Sequence, residues 1–288
     1  MTAHTDQPAR TERAPMTTAS ASTTVATART ATADRPRTVA VTAAATWRSL
    51  TALGRSPALL ISPLAQALFF MLIYAGQLST VGEQYLDGRA FIAFLLPLIL
   101  LTTVATGAGA AGTLLIKDLS NGYLDRLRLA HGSSAPFVAG TLLATMTAVA
   151  VQALATTAGA FALGYRPTTW SHLLGSLALL APVALAVALL SVATAVRTRS
   201  ASATGMVPLV VFGMSFFTGF FVPREQLSGW LAAVAGVNPL TPVVELMRQV
   251  DAGAVLDAAG WGLGVTATLL VVAVAACCAA MEHARRIR

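Results

Sequence analysis

Six stretches of this 288-residue chain are long, apolar and free of Asp, Glu, Lys and Arg: 58–78, 90–114, 137–163, 172–196, 203–222 and 261–281. No other feature constrains the fold as strongly. Each holds 20 residues or more, enough for a helix to cross a hydrocarbon core about 30 Å thick. In that core the backbone must satisfy its own hydrogen bonds, so the expected form is helical. A charge at the centre of such a helix costs about 2.5–3.5 kcal/mol on insertion, which explains why the spans carry none. The composition agrees. Charged residues are 11% of the chain, against about 25% in soluble domains, and the mean hydropathy is +0.70. The expected fold class is an all-α integral membrane protein with six transmembrane helices.

Charge-free spans also argue against a proton relay or an ion-coupled carrier, which leave ionisable groups inside the membrane. The net charge of +7 does not read as nucleic-acid binding. The basic residues sit at the ends of apolar runs and form no aromatic-interleaved patch. They report topology instead. With the N-terminus inside, the inner flanks hold Arg35, Arg37, Arg48, Arg55, Lys117, Arg126, Arg128, Arg197, Arg199, Arg285, Arg286 and Arg288, and the outer flanks hold Arg89, Arg166, Arg224 and Arg248. Both termini are therefore expected on the cytoplasmic side of a bacterial inner membrane. The bacterial source follows from codon usage, since eighteen arginines against one lysine suggest a GC-rich genome.

Residues 1–38 are Thr, Ala, Ser, Pro and Arg with almost no large apolar side chain. Such a segment cannot offset its ordering entropy and reads as a disordered cytoplasmic tail. It has no apolar h-region, so it is not read as a signal peptide, and Met1 and Met16 are both candidate starts. The transmembrane domain is expected over 39–288. It begins with "VAVTAAATWRSLTALGRS" (39–56), too polar to span. Val41, Ala45, Leu50 and Leu53 share one side of a helix there, with Trp47 at its edge and Arg48 and Arg55 opposite. That pattern fits a helix lying in the membrane interface.

Two connecting segments carry more information than ordinary loops. After the second span, Ile116, Leu119, Tyr123 and Leu127 fall at three- and four-residue steps, giving an amphipathic helix that Gly122 interrupts. A snorkelling extension of the span followed by a solvated loop accounts for the same pattern. On the outer side, 223–260 contains the apolar but short "LSGWLAAVAGV", then "NPL", then "TPVVELMRQV". The first piece cannot cross and is either re-entrant or interfacial. In the second span, Gly107, Gly109 and Gly112 permit close helix approach, either inside the fold or at a subunit contact.

Catalytic chemistry is not in evidence. There is no H-E-x-x-H, no G-x-S-x-G and no paired intramembrane carboxylate, and the four histidines are scattered. Cys277 and Cys278 are adjacent in an apolar run and read as small core residues. The chain is expected to bind no metal and no cofactor. It has no G-x-x-x-x-G-K-[ST] loop, and its one lysine stands in "LLIKDLS", so any ATP and Mg would belong to a partner chain.

Two segments carry a family resemblance. "KDLSNGYLDRLRLA" (117–130) resembles the segment after the second span of type-2 ABC exporter permeases. "FFTGFFVPREQLSGWLAAVAGVNPLTPVVELMRQV" (216–250) is similar to that family's C-terminal signature, and its daunorubicin-resistance-type drug-export members look most alike. The first segment departs from the pattern at "LAHGSS", where relatives often have a proline. The resemblance implies an N-terminal amphipathic interfacial helix, a cytoplasmic coupling helix, and outer re-entrant half-helices before the last span. It implies two permease chains, identical or not, with two ATP-binding-cassette subunits as partners in the lipid bilayer. It assigns Asp118, Gly122, Asp125 and Arg126 to the coupling region, and Asn238, Pro239, Glu245 and Arg248 to the outer re-entrant region. The function it implies is ATP-driven export of a hydrophobic drug or lipid-like compound. Polysaccharide or lipid-linked glycan export, and a non-transporting membrane scaffold, are the alternatives.

Overall fold

The structure is a computed structural model that describes residues 35–85, 91–122, 134–219, 227–253 and 259–286. Among these residues every element is an α-helix: α1 (Arg35–Gly54), α2 (Pro57–Tyr85), α3 (Phe91–Ala108), α4 (Ala110–Ser120), α5 (Ala135–Ala162), α6 (Trp170–Thr198), α7 (Ala201–Ser215), α8 (Gly229–Val237), α9 (Thr241–Ala252) and α10 (Ala259–Arg286). Most of the expected tail, residues 1–34, lies outside the described residues.

Five apolar stretches are long enough to cross a membrane: Pro57–Gln77, Phe91–Ser120, Ala135–Ala162, Trp170–Thr198 and Gly260–Ala284. Two expectations change. The second span does not end at residue 114. After a one-residue break at Gly109 it continues as α4 to Ser120. The fifth, expected over 203–222, forms a 15-residue helix that stops at Ser215, about 22 Å long at 1.5 Å per residue and shorter than the hydrocarbon core. A turn at 216–219 follows, with Gly219 at φ +73°, the left-handed region that glycine enters without strain. The α8–α9 pair, bent by 89°, would make a sixth crossing if it were counted as one broken span.

Burial within the protein separates the helices. The α3–α4 span is 83% buried, against 17% for α2 and 22% for α10. Leu95, Leu98, Ile99, Leu100, Leu101 and Val104 are all essentially inaccessible. So α3 is the central post, touched by α2, α5, α6 and α7, while α2 and α10 turn most of their surface outward, as lipid-facing helices do.

The three glycines of this span serve packing inside the chain. A β-carbon at Gly112 would stand 2.4 Å from Thr204 Cγ2 and 2.8 Å from the Ser191 carbonyl oxygen. One at Gly109 would stand 2.7 Å from Pro208 Cγ, and one at Gly107 would run into the Gln152 side chain. Of the two uses open to small residues, the tight internal crossing is the one realised.

Gln152, buried at mid-helix in α5, answers a defect elsewhere. Pro63 in α2 has no N–H, which leaves the Leu59 carbonyl without its i+4 donor. Gln152 Nε2 points at that site, donating to Leu60 O at 3.0 Å and approaching Leu59 O at 3.4 Å. The kinked turn is thus satisfied across helices.

The bundle has two distinct ends. At one, Leu115, Leu119, Ser134, Val196, Arg199 and Met281 surround a small crevice. At the other, α9 rests on the starts of α6 and α10: Gly175 faces Val250, and Gly262 faces Pro242 and Leu246. All four tryptophans are 66–74% exposed. Trp170, Trp230 and Trp261 stand at the starts of α6, α8 and α10, and Trp47 on α1, positions suited to aromatic belts at headgroup level. Cys277 joins the core, whereas Cys278 is exposed, so only one of the pair is a core residue.

Candidate functional site: a latched helix end and a bent corner

The predicted coupling region begins in α4. Leu115 and Asp118 are buried, and Ile116 and Leu119, expected on a membrane-facing stripe, pack against the core. Up to Ser120 the segment is therefore an extension of the span and not a helix lying across the surface. It ends at a conformational stop. Gly122 has φ +64°, and its N–H donates to Leu119 O at 3.2 Å while that of Asn121 donates to Lys117 O. A left-handed glycine just past the last turn is the common way to end a helix. Asp125 and Arg126, with Tyr123 and Leu127 of the expected stripe, lie outside the described residues.

The resemblance assigns Asp118 to the coupling region, facing a partner. Instead its carboxylate, 8% exposed, is paired with Arg48 of α1. The guanidinium engages both oxygens, Nη2 to Oδ1 and Nη1 to Oδ2 at 3.1 Å, a bidentate geometry. Arg48 also stands 5.4 Å above the ring of Phe137, at the start of α5. One step along α1, buried Ser49 meets Thr141 at 3.4 Å. Gly140 lets α1 come this close, because a β-carbon there would be 2.6 Å from Ala45 Cβ. Lys117 approaches Ser56 Oγ, between α1 and α2, at 3.4 Å. The buried line of α1 is Ala45, Ser49 and Leu53 at i, i+4, i+8, with Trp47 exposed and Leu50 half-buried. Sequence reading placed Arg48 on the solvent side because nothing marked Asp118 as its partner 70 residues away.

The predicted outer residues assemble around the bend between α8 and α9. Asn238 is buried. Its Nδ2 donates to Met214 O at 2.6 Å, near the end of α7, and its Oδ1 accepts from Leu240 N at 3.0 Å. The side chain thus builds an Asx-type turn and ties the corner to an α7 carbonyl. Pro239 follows in the turn. Arg248 projects from α9 onto α3, its Cζ 3.8 Å from the Phe94 ring centroid. Its Nε approaches Phe94 O at 3.4 Å, and Nη1 approaches Gly219 O at 3.3 Å. Glu245 stands one turn back on the same helix. A contact that sequence reading missed lies beside them. Tyr165, wholly buried between α5 and α6, donates to the Asp251 carboxylate near the end of α9. Burial and that carboxylate hold the phenol well above its ordinary pKa. Asp251 gave no signal because no spacing rule links it to a loop tyrosine.

Between the two ends lies an apolar cavity of about 390 Å³. It is walled by α6 and α7 and bounded by Pro239, Leu240 and Leu269. No group of three or more potential metal-ligating side chains occurs among the described residues. What these parts offer is mechanical: a bidentate latch joining α1, α4 and α5 next to a helix stop, and a bent corner clamped to α3, α6 and α7.

Comparison with known proteins gives this machinery a context. The ABC-2 type transporter family model matches residues 41–251. The chain is 26% identical over 241 residues to the Daunorubicin resistance ABC transporter permease protein DrrB1 of Streptomyces coeruleorubidus, covering 81% of this chain and 82% of that one. The match runs from α1 through the latch to the end of α9. The chain belongs to the ABC-2 type transporter family.

Proposed function

We propose that this chain is the permease subunit of an ATP-driven exporter, working with a separate ATP-binding-cassette subunit and a second permease chain, and moving a hydrophobic drug or lipid-like compound out of a bacterial cell. The family match over residues 41–251 carries the reading, and the absence of a phosphate loop from the sequence given supports an ATPase on a separate chain. The drug-like substrate rests on similarity to a daunorubicin-resistance permease and on the charge-free spans. The basic residues Arg48, Lys117, Arg197 and Arg199 gather at the latch end, which supports a cytoplasmic placement of that end and of both termini.

In this reading Gly122, Asp125 and Arg126 form the surface on which the cassette subunit pushes. Asp118 serves it indirectly, since its carboxylate is committed to Arg48 and holds α4 against α1. The α8–α9 corner, with Asn238, Pro239, Glu245 and Arg248, is the re-entrant gate at the outer face. Motion of the cassettes would reach it through α4, α6 and α7, which are in mutual contact. The test is co-purification with a candidate ATP-binding-cassette chain from the same organism. Gly122→Leu and Asp125→Arg are expected to weaken association by about tenfold, roughly 1.4 kcal/mol, with membrane insertion unchanged. Undiminished association of both variants would remove the docking assignment.

A further inference from the structure

The cavity of about 390 Å³ is elongated. Its back wall on α6 runs from Val183 to Thr194, about 16 Å at 1.5 Å per residue, and its front wall on α7 from Met206 to Met214, about 12 Å. The slot lies between two helices that are themselves in contact, α6 and α7. Val183 and Val187 at the back are buried, whereas Met206 and Val210 at the rim are 53% and 51% exposed. The slot therefore opens sideways, on an exposed apolar flank of α7.

Its chemistry narrows the occupant further. The space is large enough for several waters. Thr194 is the one lining residue with a polar side chain, and its hydroxyl donates to Leu190 O at 2.9 Å. An apolar cavity of this kind does not hold water. A ligand bearing sugars or ring hydroxyls would lose its hydrogen bonds on entering. One turn beyond Thr194 on the same side of α6 stands exposed Arg197, which has no ion pair among the described residues. An apolar slot about as long as one bilayer leaflet is thick (about 15 Å), with a cation beyond one end, suits an anionic amphiphile.

We propose that this slot binds one acyl chain of a membrane phospholipid, entering laterally past Met206 and Val210, with the phosphate held by Arg197. The chain would fill the space between α6, α7 and the Asn238 corner, so the lipid would be an integral filler of the fold. The inference needs only a membrane-embedded chain and stands apart from the export reading.

The test uses the full chain in nanodiscs made with a phospholipid carrying a diazirine in its acyl chain, with adducts mapped by mass spectrometry. Adducts at Met206, Val210 and Leu190 are expected about fivefold above those at Leu72, an exposed residue of α2, a preference worth about 1 kcal/mol. Val210→Trp should remove the slot adducts and leave those at Leu72. Because Val210 is half exposed, helical circular dichroism of this variant should be unchanged. Arg197→Gln should lower slot adducts about threefold without abolishing them. Slot labelling no stronger than at Leu72, or labelling insensitive to Val210→Trp, overturns the proposal. So does displacement of the adducts by excess daunorubicin, which would assign the slot to an exported compound, or chain–chain cross-links through Val210, which would assign it to a second copy.

Discussion

Removing either partner of the Arg48–Asp118 latch should destabilise the bundle, but not equally. The carboxylate is 8% exposed and the guanidinium 39%. Arg48→Met leaves a carboxylate that is out of water and unpaired. Breaking a buried pair this way costs about 3–5 kcal/mol, and the partial exposure of Arg48 brings the expectation down to about 2–3 kcal/mol. Asp118→Asn leaves a cation that can turn to water and keeps its position over Phe137, so its cost should be about 1 kcal/mol. For a domain of this size 1 kcal/mol moves Tm by about 2–4 °C. The gap between the variants should therefore be readable by thermal circular dichroism in detergent. The double variant Arg48→Met/Asp118→Leu should recover most of the loss, because a well-packed apolar pair often matches a buried ion pair. Equal losses, or a milder effect of Arg48→Met, would refute the asymmetry and with it the account of Asp118 as a buried latch.

Gln152→Ala should cost about 1–3 kcal/mol by stripping the Leu59 and Leu60 carbonyls; in a Pro63→Ala background, where residue 63 regains its N–H, the loss should shrink by about 1 kcal/mol in a double-mutant cycle. Gly112→Ala should destabilise by about 1–3 kcal/mol, because its β-carbon meets the Ser191 backbone. Gly205→Ala, with open space around it in α7, should gain about 0.5–1 kcal/mol; paired melting curves check both. The Tyr165 phenol, whose folded pKa is raised, contributes stability below the unfolded value of about 10 and loses it as pH climbs beyond. Ultraviolet titration should show a late-ionising fraction of the four tyrosines, and Tyr165→Phe should diminish it.

The sequence carried the membrane class and the helices because apolar length and absence of charge are strong, local signals. The corner at Asn238 was legible for the same reason: "NPL" between two short apolar pieces specifies a turn. Other features depended on partners distant in the chain. Arg48 and Asp118 looked like two exposed charges until the fold brought α1 onto α4. The stripe Ile116, Leu119, Tyr123, Leu127 has helical spacing, yet Gly122 stops the helix after Ser120. Periodicity carries no information about which turn a glycine will end. Gln152 shows the reverse: a polar residue in a span is explained by the Leu59 and Leu60 carbonyls near Pro63 that its amide serves.

The most direct test of the central claim is the ATPase rate of a candidate ATP-binding-cassette subunit from the same organism, reconstituted with this chain in lipid vesicles. The account predicts a stable complex whose ATPase rate changes on adding a transported hydrophobic compound, with that coupling weakened by Gly122→Leu. A folded, membrane-inserted chain that neither binds the cassette subunit nor alters its ATPase rate would contradict it.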